Sequence, residues 1–172
     1  MTPEKIAPCP MTPAVFQQLY QQYSGQLCAY LTRSLRGDMA EAEGIVQEAF
    51  LSAWEKRASL RDPGAFKPWL YSIALNALRQ RKRKLRPLAV EEIKTACGRP
   101  SPERCVAGDQ ELKRVLTALN RLPDDQREAI LLVRMEQMKF REASEILGVP
   151  ENTIKTRVRR GLMRLAEALD PE

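Results

Sequence analysis

Apolar residues along the first third of the chain recur at intervals of three and four. Val15, Phe16, Leu19, Tyr20, Tyr23, Leu27, Tyr30 and Leu31 follow that rhythm, which predicts a helix from Ala14 whose one face is buried. The Ser24-Gly25 pair interrupts it and is expected to end or bend that helix. After a turn at Gly37-Asp38, with Asp38 placed as N-cap, Met39 to about Lys56 carries Ala42, Val46, Ala49, Phe50 and Ala53 on one face. Arg61-Asp62-Pro63-Gly64 reads as a loop. Phe66, Leu70, Ile73, Ala74 and Ala77 then form a stripe that runs into a cationic end, closed by Pro87. Residues 1–13, with four prolines, read as a tail.

Between Pro87 and Gly108 no period persists and Pro, Gly and Ser accumulate, so residues 87–108 read as a flexible linker. Helical spacing resumes with Leu112, Val115, Leu116 and Leu119, and again around Ala129 to Val133 after Leu122-Pro123. Pro123 suits a first helical turn, and Asp124 and Asp125 suit the positive end of its dipole. No alternation of period two suggests a strand. The fold class expected is therefore all-α, two small helical domains at 14–86 and 109–170.

One stretch of the second domain carries a mechanism in its spacing. In FREASEILGVPENTIKTRVRRGLMRL, a short helix bearing Ala143, Ile146 and Leu147 stops at Gly148, and a second opens near Pro150 with Ile154, Val158, Leu162 and Leu165 as its stripe. Small Ser144, then Gly148, then apolar Ile154 fit a helix-turn-helix. On a helical wheel Asn152, Thr156, Arg159, Arg160 and Met163 lie opposite the stripe, with Lys155 and Arg157 on its flanks. Asn, Thr and Arg reach base edges, whereas flanking Lys and Arg reach phosphates.

Charge and composition narrow the possibilities. The 172 residues hold 28 Lys plus Arg against 22 Asp plus Glu, a net +6, and residues 61–90 alone carry +7. Six cations fall in the eight residues Arg79 to Arg86, and a second cluster is Lys155, Arg157, Arg159, Arg160 and Arg164. Two basic patches suggest two contacts with a polyanion; two solvated helix ends are the plainer alternative. The absence of His removes the usual general base and metal ligand, so no enzymatic activity, metal or cofactor is expected. Cys9, Cys28, Cys97 and Cys105 lack CxxC spacing and read as reduced thiols, Cys28 on an apolar stripe; a redox or metal pairing of Cys97 with Cys105 stays open. No apolar run approaches a membrane span and no leader pattern opens the chain, so a cytoplasmic protein without membrane insertion is expected.

These segments together resemble the bacterial sigma factors of the sigma-seventy superfamily, in the small extracytoplasmic-function (ECF) group. From Phe16 to Leu169, GDMAEAEGIVQEAFLSAW resembles the region-two helix that docks on core RNA polymerase, and FKPWLYSIALNALRQRKR the segment that recognises and melts the minus-ten element. LPDDQREAILLV and EILGVPENTIKTRVRRGL resemble the opening of region four and its helix-turn-helix, the reader of the minus-thirty-five element. The resemblance implies contacts to the beta-prime clamp helices through Glu43, Gln47, Glu48, Leu51 and Trp54, and to the beta flap through region four. It implies minus-ten contacts from Arg61, Asp62, Lys67, Trp69, Asn76, Arg79, Arg81, Lys82 and Arg83. For the minus-thirty-five element it implies Asn152, Thr153, Lys155, Thr156, Arg157, Arg159 and Arg160. Promoter DNA, core polymerase and an anti-sigma factor are the partners implied.

The residues lend their own support. Leu51 lies in the outward arc beside Gln47 and Glu55 with Trp54 at its edge, as a docking face would. Trp69 beside a cationic helix end suits unstacked single-stranded DNA, although Phe66, Trp69 and Tyr71 could simply pack the bundle, and for Phe66 packing is preferred. Departures from the family pattern are Gly44 for an acidic residue, Asn152 and Gln137 for Gly, Ser144 for Ala, and Arg79 to Arg83 where Leu or Ile is usual. With no Cys-rich stretch after the last helix, metal sensing by the chain itself is not expected. Two rivals remain at this point: a stand-alone helix-turn-helix regulator, and a helical adaptor that touches only protein.

Overall fold

The computed structural model describes residues 11–85 and 110–170, the side chains of residues 84 and 85 excepted. The expected linker lies outside the described residues, as do Cys9, Cys97 and Cys105. Every regular element described is helical. In the N-terminal domain α1 (Pro13–Ser34), α2 (Met39–Glu55) and α3 (Phe66–Leu85) pack with α2 against both neighbours. The C-terminal domain holds α4 (Gln110–Arg121), α5 (Asp124–Ile130), a wider π turn (Leu131–Met135), α6 (Phe140–Leu147) and α7 (Glu151–Leu169).

Local signals in the chain explain most of the boundaries. Asp38 caps α2 by accepting from the Glu41 amide at 3.0 Å, as its position implied. Helix α1 opens at Pro13, not Ala14: Thr12 accepts the Val15 amide, and proline at N1 lacks only a donor that would have no partner there. It also runs unbroken through Ser24-Gly25. A single exposed Gly costs a helix about 1 kcal/mol relative to Ala, less than the apolar contacts that Leu27, Tyr30 and Leu31 make beyond it. In the second domain Pro123 is the N-cap of α5 and not a residue of its first turn.

Buried Leu27, Leu31, Ala42, Ile45, Ala49, Leu70, Ala74 and Leu75 form the first core. Leu131, Leu132, Ala143, Ile154 and Val158 anchor the second, and the apolar cluster is continuous between the two. Helix α3 is buried more widely than its stripe foretold, since Tyr71, Leu75 and Leu78 are also buried. The reason is that it packs on α2 on one side and on α6 of the other domain on another. Leu112, by contrast, is 54% exposed despite its register with α4's apolar face.

The helix-turn-helix forms as its spacing required. Gly148 takes the left-handed conformation (φ 67°) that ends α6, and the Ser144 hydroxyl donates to the Val149 carbonyl at 2.6 Å, tying the turn together. Gly161 allows α7 to close on α5, because a Cβ there would meet Ile130 Cδ1 at 2.5 Å.

Gln137 occupies a backbone conformation suited to glycine, with φ 55°. Left-handed geometry costs a non-glycine residue about 1–2 kcal/mol, partly offset by the looser unfolded chain that glycine brings. Gln137→Gly is therefore expected to stabilise the chain by about 0.5–1 kcal/mol. Thermal unfolding checks this, and a lowered midpoint would mean that the Gln137 side chain contributes more than its backbone costs.

Candidate nucleic-acid and polymerase interfaces

Three surfaces carry the chemistry. The first lies on the outward face of α7. Ile154 and Val158 are buried, Leu162 and Leu165 half-buried, while Asn152, Lys155, Thr156, Arg159, Arg160 and Met163 are exposed and Thr153 lies between. Local pairs tune this face. The Lys155 ammonium pairs with Glu151 at 2.8 Å and stands 5.8 Å from the Phe140 ring. Arg157 reaches Asp125 on α5 at 3.2 Å, so it ties α7 to its own domain. Arg159 and Arg160 make no ion pair among the described residues, leaving two cations presented to solvent.

The second surface is an apolar groove of about 590 Å³ between α1 and α2, lined by Pro13, Phe16, Tyr20, Phe50, Leu51 and Trp54 with Gln17 and Gln47. Aromatic stacking holds its walls: Phe16 meets Trp54 edge-on at 5.0 Å, and Tyr20 meets Phe50 at 4.8 Å. Arg57 covers Trp54, its guanidinium 4.0 Å from the ring and bonded to the Trp54 carbonyl at 2.7 Å. Leu51 stands 68% exposed at the rim, an apolar side chain held in water beside an apolar groove. Glu43 and Gln47 are exposed on the same helix. Glu48 is engaged, accepting from Arg81 at 2.8 Å.

The third surface is α3 with the loop before it, and here the structure divides the cations that the sequence grouped. Arg61, Asn76 and Arg83 are exposed. Asp62 accepts the Gly64 amide at 2.8 Å and so caps the short turn ahead of α3. Trp69 is half-buried against Phe66, 5.9 Å between rings, and Phe66 is core. Arg81 lies across α2, its guanidinium 3.3 Å from where a Cβ on Gly44 would sit, and the lack of a side chain at Gly44 is what makes room for it. Lys67, Arg79 and Lys82 all face the C-terminal domain. Lys67 pairs with Glu136 at 3.0 Å, Arg79 donates to the Ile146 and Leu147 carbonyls, and Lys82 lies 3.6 Å from Asp124.

Residues 19–87 match the Sigma-70 region 2 family and residues 112–165 the Sigma-70, region 4 family. The chain is a sigma factor of the sigma-70 family. It belongs to the ECF group. The RNA polymerase sigma factor NccH of Alcaligenes xylosoxydans is 32% identical over 161 residues, covering 90% of this chain and 86% of that protein. The ECF RNA polymerase sigma factor SigM of Mycobacterium tuberculosis is 34% identical over 158 residues, covering 90% and 76%. The sigma factor RpoE of Bartonella quintana, solved with the anti-sigma factor NepR, superposes with a TM-score of 0.70 at 32% identity over 90% of this chain and 96% of that one. A region 2 match is what neither a stand-alone regulator nor a protein-only adaptor needs.

Sequence reasoning about this sigma factor missed Arg127. It is 1% exposed. One terminal nitrogen donates to Ser34 O of region 2 at 3.0 Å and to Asp124 at 2.8 Å, and the other to Leu122 O at 3.2 Å. An arginine inside LPDDQREAI reads as a surface residue, and no local pattern announces that a carbonyl 93 residues earlier completes its shell. Glu136 was missed for the same reason. Asp124 is drawn upward by partial burial, but Arg127, Lys82 and the Arg36 hydrogen bond outweigh this and hold its carboxyl below the usual range. Burial holds the Tyr71 phenol well above its ordinary value, reinforced by the Glu136 carboxylate that accepts its proton at 2.7 Å, so Tyr71 remains a donor. Among the described residues no group of three or more Cys, Asp or Glu is placed to hold a metal, and no helix is long and apolar enough to cross a membrane.

Proposed function

We propose that this sigma factor binds core RNA polymerase in the cytoplasm and directs it to promoters without making or breaking a bond itself. The observation that carries the reading is the sidedness of α7, with Asn152, Thr156, Arg159 and Arg160 outward and Ile154 and Val158 buried. Region 4 lays that face in the major groove at the minus-thirty-five element. The α1–α2 groove around Leu51 takes the beta-prime clamp helices, with Glu43 and Gln47 at its polar rim, and region 4 meets the beta flap. Region 2 receives the minus-ten strand along α3, using Arg61, Trp69, Asn76 and Arg83 directly, and Lys67, Arg79 and Lys82 once they leave region 4. Unpairing costs a few kcal/mol, which stacking of about 1–3 kcal/mol per base offsets. Arg81, bonded to Glu48, supports α3 on α2. An anti-sigma factor holds the chain inactive; RpoE with NepR, and CnrH with the cytosolic domain of CnrY, are the solved precedents among its relatives.

Transcription in vitro with core polymerase and a library of promoter variants tests this. Arg159→Ala should lose about 1–3 kcal/mol of discrimination at particular upstream base pairs. Lys155→Ala should lower output almost evenly across sequences. Arg157→Ala mixes DNA contact with loss of the Asp125 tie and is the poorer probe. Identical specificity profiles for the first two variants would show α7 aimed differently, and operator binding without any core-dependent transcription would favour the stand-alone regulator.

A further inference from the structure

We propose that region 4 holds promoter DNA at a second place, a cationic groove between α4 and the C-terminal half of α7 that takes the sugar-phosphate backbone beside the minus-thirty-five element. The proposal rests on the promoter reading above and adds a contact that the outward face of α7 does not supply. The groove, of about 310 Å³, is lined by Lys113, Arg114, Thr117 and Arg121, with only Ala118 and Ala168 besides. Lys113, Thr117 and Arg121 follow one another at every fourth position of α4, so they share a face over about 12 Å. All three are exposed, as is Arg114. Arg114 also donates to the Leu169 carbonyl at 3.0 Å, which fixes the end of α7 against α4. The Thr117 hydroxyl is bonded to the Lys113 carbonyl at 2.8 Å. The charge offered to a ligand is therefore positive throughout.

Two features aim this groove at the duplex that α7 reads. With 19 residues α7 is about 28 Å long, more than twice the roughly 12 Å width of the major groove. When Asn152 and Thr156 in its first turns are at base edges, its C-terminal half passes the edge of the groove, where the phosphates lie. Helix α4 is packed on that half. Secondly, Thr156, Arg160, Arg164 and Ala168 form one ridge at intervals of four, which leads from the outward face into the α4 groove. Arg160 and Arg164 are exposed, and Arg164 is steadied by the Gln126 side-chain carbonyl at 3.2 Å. Lys113, Arg121, Arg160 and Arg164 join no ion pair among the described residues, in contrast to Lys155 and Arg157. Such a band binds backbone without reading sequence. An acidic protein surface would answer the same charge, but the ridge joins the groove to the DNA-reading face, and that continuity favours the duplex.

The full chain carrying both Lys113→Ala and Arg121→Ala, assembled with core polymerase, tests the groove; Lys113→Arg with Arg121→Lys keeps the charge. Fluorescence anisotropy of a labelled promoter duplex is followed between 50 and 200 mM salt. The Ala pair should flatten the slope of log affinity against log salt by about 2, so that the wild-type advantage shrinks about tenfold across that range. Its preferences among minus-thirty-five variants should stay those of the wild type. The charge-keeping pair should retain the wild-type slope. Circular dichroism checks that each variant stays helical, and pull-down with core enzyme should be unchanged. An unchanged slope in the folded Ala pair overturns the proposal, and so does an equal loss in the charge-keeping pair. Weakened core binding of the same size would give the groove to an acidic surface of the polymerase instead. Sequence-specific binding by the wild type without any change in the Ala pair removes the groove alone, whereas a wild type that shows no sequence-specific binding with core removes the promoter reading as well.

Discussion

Arg127→Ala is expected to lower the unfolding midpoint by about 10 °C, the largest effect on stability of any single substitution considered. The side chain is buried and three hydrogen bonds end on it. Truncation leaves the Ser34 and Leu122 carbonyls without a donor, at about 1–3 kcal/mol each when buried, and opens a cavity between the domains. Asp124, with its side chain 52% exposed, keeps water and Arg36, so its charge adds less than a fully buried partner would. A total near 3–4 kcal/mol, at about 2–4 °C per kcal/mol for a chain of this size, gives the expected shift. Differential scanning calorimetry checks it. A fall under about 3 °C would mean that water replaces the guanidinium and that the interface between the regions does not depend on it.

Leu51→Asp should weaken binding to core polymerase by at least about 30-fold while leaving the fold intact, because an apolar anchor that a partner buries is commonly worth about 2 kcal/mol or more at an interface. At 68% exposure Leu51 contributes little to the region 2 core, and exposed substitutions usually change stability by less than about 0.5 kcal/mol. The new carboxylate would instead have to be desolvated beside Phe16, Phe50 and Trp54. Met39→Asp, also at an exposed apolar side chain but outside the groove, is the control and should bind normally. Equal loss in both variants, or loss in neither, would move the polymerase face away from this groove.

What the chain declares on its own is local. The stripe of α2, the Asp38 cap, the stop at Gly148 and the two faces of α7 are all written within one or two helical turns, because a helix exposes its neighbours at three and four. The surface with the strongest functional statement, α7, was accordingly the most legible: Asn152, Thr156, Arg159 and Arg160 lie outward as the wheel implied. Leu51 could be read too, since an apolar residue opposite a well-formed stripe has no core to enter. The partners of charged groups could not. Arg79, Arg81 and Lys82 form one basic run with Arg83 in sequence, and Lys67 precedes it on the same helix, yet their acceptors lie tens of residues away, at the end of α6, Glu48, Asp124 and Glu136 respectively. Coulombic and hydrogen-bond partners are chosen by proximity in space, and only the packing of α3 against α2 and α6 decides which cation faces protein and which faces solvent. Packing of α1 on α2 and α5 likewise keeps α1 continuous through Gly25, against a local preference of about a kilocalorie per mole, and buries Arg127 at the end of α1.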